Sequence, residues 1–305
     1  MIFVGMSERS SGLIRGKQIC EKFLELNLKS KFYEYGDPRL FNESNETIIF
    51  IRFIDVDSAN KLKNKGNQIG FDLLDRPVAD QHQLEKYAKN QEIDWKKYLF
   101  DQIDFYIVNN TITKNKLLES NCQKNIYVIP HHTVNFDNER ICINDVVRRV
   151  GYIGLEDQLS YKDDIKSFLS SKNIEFISCH PTTREEVTQV LKKIDIGLIS
   201  VDYNQASCSV WKQYIIKYKP NTKLSNFQSF GIPTIACPYS SFKEFGENGW
   251  INASTKNEIL EALENLTRNS STSKILRDDL SNNGYKIAKK YHITDLVLNF
   301  YSKIQ

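Results

Sequence analysis

Lys219 and Lys223 flank the start of a predicted helix in the stretch KPNTKLSNFQSFGIPTIACP, residues 219 to 238. A helix N-terminus attracts anions, because its first-turn amides have no intrahelical acceptor and the helix dipole is positive at that end. Two ammonium groups added there point to recognition of a phosphate. Asn221 or Thr222 is placed to cap the helix. Leu224, Phe227 and Phe230 recur every three residues as a buried stripe, which leaves Lys223 and Asn226 on another face. Gly231 suits the C-terminal turn, and Pro233 ends the helical path. The same residues also describe an ordinary helix entering a sheet, so the rest of the chain has to supply the ligand.

Other chemistry-bearing residues fall where strands are expected to end. Gly12, Arg15 and Gly16 follow the first apolar run, "MIFVGM". Arg15 there suits either an anion or acceptor contact or an ordinary place in the first turn of the next helix. Asp75 and Arg76 close "GFDLLD"; a carboxylate at Asp75 suits a general base for an acceptor hydroxyl, or a cap for the next segment. His131 and His132 close "IYVIPHH". Adjacent strand side chains point to opposite faces, so at most one of the two faces a cleft. We place His132 there, as a polar cleft residue or a catalyst. Neighbouring histidines without further ligand spacing do not make a metal site. Lys162, Lys212 and Lys217 are weaker candidates for the same phosphate and read better as solvated lysines.

These positions need a scaffold, and the chain supplies one in order. "SKFYEYG", "TIIFIRF", "QIGFDLLD", "DFYIVNN" and "NIYVIPHH" read as strands, separated by helical stretches that include "TKNKLLESN" and a polar segment over 77–103. Residues 134–146 lack periodicity and read as a crossing segment. The pattern then restarts with "VVRRVGYIG", "YKDDIKSFLSS", "IEFISC", "REEVTQVLKKI" and "DIGLIS". A loop over 201–220 leads to the lysine-flanked helix and the strand "PTIACP", and a helical tail runs from about residue 255 to the end. Short apolar runs alternating with helices indicate parallel sheets covered on both faces. The expectation is two α/β domains, 1–140 and 141–305, with the last helix packing back on the first. In such sheets ligands bind beyond the carboxyl ends of the strands.

Composition bounds the function classes. The chain has 305 residues, 40% hydrophobic and 26% charged, with a net charge of +3. That charge is too mild to indicate nucleic acid. No apolar run approaches a transmembrane length of ~18 residues, and the N-terminus lacks the pattern of a signal peptide. The six cysteines are scattered with no CxxC pair, which suits a reduced, cytoplasmic setting.

The run from Asp195 to Gly249 resembles the donor half of GT-B glycosyltransferases of the broad group 1 type. "DIGLIS", the helix leading into "GIPTIACP", and the glycine loop "EFGENGW" carry that resemblance. "SSGLIRG", "VIPHHTVNF" and "VGYIG" extend it over nearly the whole chain. It implies an α/β GT-B fold: two Rossmann-like parallel-sheet domains facing a central cleft, with a helical C-terminal tail. It also implies a metal-independent transferase with no cofactor, moving a sugar from a UDP- or GDP-sugar to a hydroxyl on a glycan, lipid-linked or protein acceptor. Peripheral membrane contact is compatible with such acceptors. Gly12, Arg15, Lys219, Thr222, Lys223 and Asn226 become the donor-side residues, and Asp75 and His132 the catalytic candidates. Many retaining members carry two glutamates eight residues apart, and here those positions hold Tyr218 and Asn226. An amide still bonds a ribose hydroxyl, but the sugar-facing carboxylate is missing. The lysine near the helix also resembles fucosyltransferases that use GDP-sugars. "DVD" at 55–57 resembles the metal-holding motif of GT-A enzymes, but reads better as a polar strand-to-helix loop. The alternatives are a nucleotide-sugar epimerase of the same architecture and a catalytically degenerate binding or scaffold subunit.

Overall fold

Apolar runs of four or five residues become strands because both faces of a parallel sheet are covered and every second position has to be apolar on each side. The computed structural model describes residues 1–6, 12–74, 96, 99–181, 183–200, 218–237, 240–246 and 248–304. Its contacts divide the chain into two units. The first comprises Met1–His131, Val210–Pro220 and Ile293–Gln305, and the second His132–Ser209 and Asn221–His292. The division falls upstream of the 140/141 boundary expected from the sequence.

In the first unit, β1 (Ile2–Gly5), β2 (Lys31–Glu34), β3 (Thr47–Ile51), β4 (Gln68–Asp72), β5 (Phe105–Val108) and β6 (Asn125–Val128) form one sheet. Their order is β2-β1-β3-β4-β5-β6, and every pairing is parallel. The helices α1 (Gln18–Glu25), α2 (Val56–Lys63) and α3 (Thr111–Glu119) alternate with them. Asp55 caps α2 by accepting from the Asp57 amide at 3.2 Å, so "DVD" is a strand-to-helix loop closed by a cap. Asn110 caps α3 in the same way through Thr113, at 2.9 Å. Most of the helix expected over 77–103 lies outside the described residues.

The second unit contains β7 (Arg149–Ile153), α4 (Lys162–Ser171), β8 (Glu175–Cys179), α5 (Arg184–Leu191), β9 (Ile196–Ile199), α6 (Thr222–Ser229), β10 (Thr234–Ala236) and β11 (Ile251–Asn252). The sheet order is β11-β10-β9-β7-β8, again all parallel. The expected tail is three helices: α7 (Lys256–Thr267), α8 (Ser271–Ala288) and α9 (Ile293–Ile304). Thr183 and Thr255 each open a helix with a reciprocal capping box, to Glu186 and Glu258. α9 belongs to the first unit, where Phe300 stacks 5.7 Å from Phe3 and 6.2 Å from Phe23. No described helix is long and apolar enough to cross a membrane.

Residues 132–141 explain where the division falls. Asn135 donates to the carbonyls of Ser229 and Glu139, each at 2.7 Å. Ile141 donates to Phe230 at 3.0 Å, and Thr133 to Tyr291 at 2.9 Å. The segment has no periodicity because backbone and side-chain hydrogen bonds, not a buried stripe, hold it to α6 and to the short turn after α8.

Candidate functional site

The lysine-flanked helix forms as its sequence suggests. Leu224, Phe227 and Phe230 are buried, each contributing on the order of 1.5–3 kcal/mol. Gly231 turns the chain at φ 73°, a conformation that favours glycine. One expectation needs correction: Asn221 occupies the N-cap position of α6 but makes no capping bond. Its side chain is instead engaged by the Tyr291 hydroxyl. No acidic residue lies in the first turn of α6, so the positive end of the helix keeps its attraction for anions.

Lys223 sits in that first turn and reaches back to the end of β7. Its Nζ donates to the Tyr152 hydroxyl at 3.2 Å and lies 4.5 Å from the centre of the Tyr152 ring. Both groups crowd Gly154, the residue just past β7. A Cβ at Gly154 would lie 2.7 Å from Nζ and 3.0 Å from the Tyr152 hydroxyl, and the residue has φ 145°. The Gly154 amide is fixed to the Cys179 carbonyl at the end of β8, at 2.7 Å. Tyr152 is buried to 1% exposure, and burial pushes its phenol up to about 12. The phenol is therefore neutral beside the ammonium across the ordinary pH range.

Gly154→Ala should expose this geometry directly. Strained backbone costs about 1–3 kcal/mol, and the new methyl group displaces Nζ. A lowered melting temperature together with weaker anion binding is the expected result. A variant indistinguishable from wild type in both would mean that Gly154 does not shape the site.

The other donor-side candidates are distributed over both units. Thr222 opens α6, half-buried. Asn226 lies one turn further on, and its Oδ1 accepts the Val134 amide at 3.0 Å. Lys219 falls in the stretch grouped with the first unit, whereas Lys223 is in the second. Tyr218 is buried in the first unit's core, and its carbonyl accepts Asn110 at 3.1 Å. Lys162 faces Glu156 and Asp157 at 3.9 and 3.8 Å.

In the first unit, Gly12 opens the turn after β1. A Cβ there would meet the Met6 carbonyl oxygen at 2.0 Å, so this close approach of residue 12 to Met6 requires glycine. Arg15 is 1% exposed. It pairs with Asp72 at the end of β4 at 2.7 Å and donates to the carbonyls of Ile129 and Pro130, each at 2.8 Å. Its guanidinium thus ties the first turn to two strand ends. His132 begins the second unit, buried, with Nδ1 3.0 Å from the Thr133 carbonyl and its ring edge on Phe136. His131 is also buried. Asp75, Arg76, Lys212 and Lys217 lie outside the described residues. Among the described residues, no group of three His, Cys, Asp or Glu side chains is placed to hold a metal.

Sequence reasoning passes over Tyr152. The available signal is its position: a phenol near the carboxyl end of the strand "RVGYI", where a parallel sheet presents its ligand.

No family model matches the chain, and no curated protein matches it. Solved structures do match in fold. HepE from Anabaena, in complex with UDP and glucose, has a TM-score of 0.61 at 9% identity, covering 99% of both chains. Sucrose-phosphate synthase from Thermosynechococcus elongatus has a TM-score of 0.62 at 11% identity, over 99% of this chain and 97% of its own. A glycosyltransferase from Rickettsia africae has a TM-score of 0.62 at 10% identity, with the same coverage. The two parallel-sheet units and the C-terminal helices are the GT-B fold.

Proposed function

We propose that the chain is a glycosyltransferase. It binds a nucleotide-sugar in the second unit, with the diphosphate at the N-terminus of α6, and moves the sugar to a hydroxyl in glycan synthesis. The observation that carries this reading is Lys223, whose ammonium is anchored on Tyr152 beside Gly154. A cation fixed at a helix N-terminus suits the charge that gathers on a departing nucleoside diphosphate. The UDP bound by HepE, over the same fold, supports a UDP-sugar among the candidate donors, alongside GDP-sugars. The acceptor is a glycan, lipid-linked or protein hydroxyl, and the reaction belongs in the cytoplasm.

A thermal-shift panel of nucleotides and nucleotide-sugars tests the reading. One nucleotide family should raise the melting temperature; ligand at 100 times its dissociation constant stabilises by about 2.7 kcal/mol. A chain that responds to none of them is not this transferase.

Catalysis here uses lysine and helix amides in place of a metal. Turnover is accordingly expected to persist in EDTA. Full loss in EDTA, restored by manganese, would overturn this part of the reading.

Asn226 is assigned to the donor ribose through its amide. Asn226→Ala should weaken nucleotide and nucleotide-sugar binding alike, by about 1–2 kcal/mol. It also removes the acceptor for the Val134 amide, so a melting curve has to accompany the affinity. Unchanged affinity for both ligands refutes the assignment, whatever the melting curve does.

One observation favours a second reading, a donor-binding subunit without turnover. The two positions that would carry glutamates hold Tyr218, a core residue, and Asn226, bonded to Val134, so neither offers a carboxylate. Slow release of nucleoside diphosphate from one nucleotide-sugar supports the transferase; tight binding with no release at all supports the second reading.

A further inference from the structure

We infer that Tyr152 is a positioning residue for the donor diphosphate: it fixes the Lys223 ammonium at the end of β7 through its hydroxyl and its ring face, and adds no charge in doing so. The inference rests on the donor reading above and goes beyond it by naming what makes the lysine competent.

A lysine ammonium rides on a flexible four-carbon stem and loses rotamer freedom when it engages an anion. Immobilising it beforehand removes that loss from the binding step. Tyr152 does this at two points, the 3.2 Å hydrogen bond and the 4.5 Å contact with the ring centre. The ring has little freedom itself, since Tyr152 is 1% exposed within the core of the second unit. An aspartate or glutamate could hold the ammonium as firmly, but its negative charge would weaken the attraction for a diphosphate. A buried phenol, whose ionisation is pushed up to about 12, stays neutral. The quadrupole of its ring and an oxygen lone pair orient the cation and leave its charge intact. Gly154 completes the arrangement, because any side chain there would occupy the place of Nζ.

Calorimetric titration of UDP and uridine, with GDP and guanosine in parallel, tests this on wild type, Tyr152→Phe, Lys223→Met and the double variant. Tyr152→Phe keeps the ring and the packing and removes only the hydroxyl. It should weaken binding of the preferred nucleoside diphosphate about tenfold, as for a lost hydrogen bond to a charged group, and leave binding of the matching nucleoside unchanged. In the Lys223→Met background the same substitution should change affinity less than about twofold, since the two residues act as one unit. Unchanged diphosphate affinity in Tyr152→Phe overturns the inference. So does an equal loss for the nucleoside, or a tenfold loss that persists without Lys223. Where nucleoside binding is too weak to read, the double-variant comparison decides alone. If wild type binds neither UDP nor GDP, the donor reading itself fails and this inference falls with it. If wild type binds one of them and the variants do not follow the pattern, only the role of Tyr152 fails.

Discussion

Methionine in place of Lys223 is expected to slow transfer at saturating donor on the order of 10–1000-fold, by analogy with removing one preorganised donor from an oxyanion site. The fold should survive, with at most a modest drop in melting temperature from the buried Tyr152 hydroxyl that loses this donor. Lys223 lies off the Leu224–Phe227–Phe230 stripe that anchors α6, and methionine keeps an unbranched apolar stem against the Tyr152 ring. The kinetic form of the loss carries the information. A contact equally strong to the bound donor and to the transition state would raise KM and leave kcat alone. One that strengthens as negative charge gathers on the leaving diphosphate lowers kcat. An ammonium held at a helix N-terminus belongs to the second kind, because its geometry is fixed before the charge develops. Lys219→Ala is the companion measurement. Its effect on kcat is expected to be the smaller, because Lys219 precedes the N-cap of α6 whereas Lys223 sits in the first turn. Near-normal turnover in both single variants and in the double variant would mean that the leaving group is stabilised elsewhere.

The sequence makes some of this site legible and leaves other parts hidden, for a common reason. The stripe of α6, its glycine turn and the short apolar strands are local patterns, with every residue involved inside a window of about ten positions. They appear in the structure where the sequence puts them. The holding of Lys223 by Tyr152 spans 71 residues of chain, and nothing local to "KPNTKLSN" marks the phenol. Asn221 shows the limit differently. Its type and position suit a cap, but a buried tyrosine from the short turn just past α8 competes for its side chain, and the tertiary contact wins. The division at 131/132 is hidden for the same reason. Residues 132–141 look like a linker because their attachments are hydrogen bonds to distant backbone rather than a periodic face. α9 is legible as a helix, but its place in the first unit depends on Phe300 meeting Phe3 and Phe23, a pairing across almost the full chain.

Removing the Arg15 side chain is expected to be the most destabilising single change considered, about 3–5 kcal/mol for loss of one partner from a buried ion pair. Arg15 and Asp72 are each 1% exposed. Nε and an Nη of the guanidinium approach one Asp72 oxygen at 2.8 and 2.7 Å, while the other oxygen accepts the Leu74 amide at 3.1 Å. With Arg15→Met, the carboxylate stays buried without this cation, and the carbonyls of Ile129 and Pro130 lose their donor. Three elements loosen together: the turn after β1, the end of β4 and the end of β6. Replacing both partners, as Arg15→Met with Asp72→Leu, should recover much of the loss, because the desolvation penalty of the carboxylate disappears with it. Calorimetry is the suitable measurement, since a chain of two units need not unfold in one step. The single variant should lower a transition that the double variant largely restores. The same pair separates the two roles open to Arg15. A guanidinium that only ties strand ends together leaves nucleotide affinity intact in the stable double variant. One that touches the donor phosphate does not, and a loss of UDP affinity there, with the melting temperature restored, would return Arg15 to the ligand.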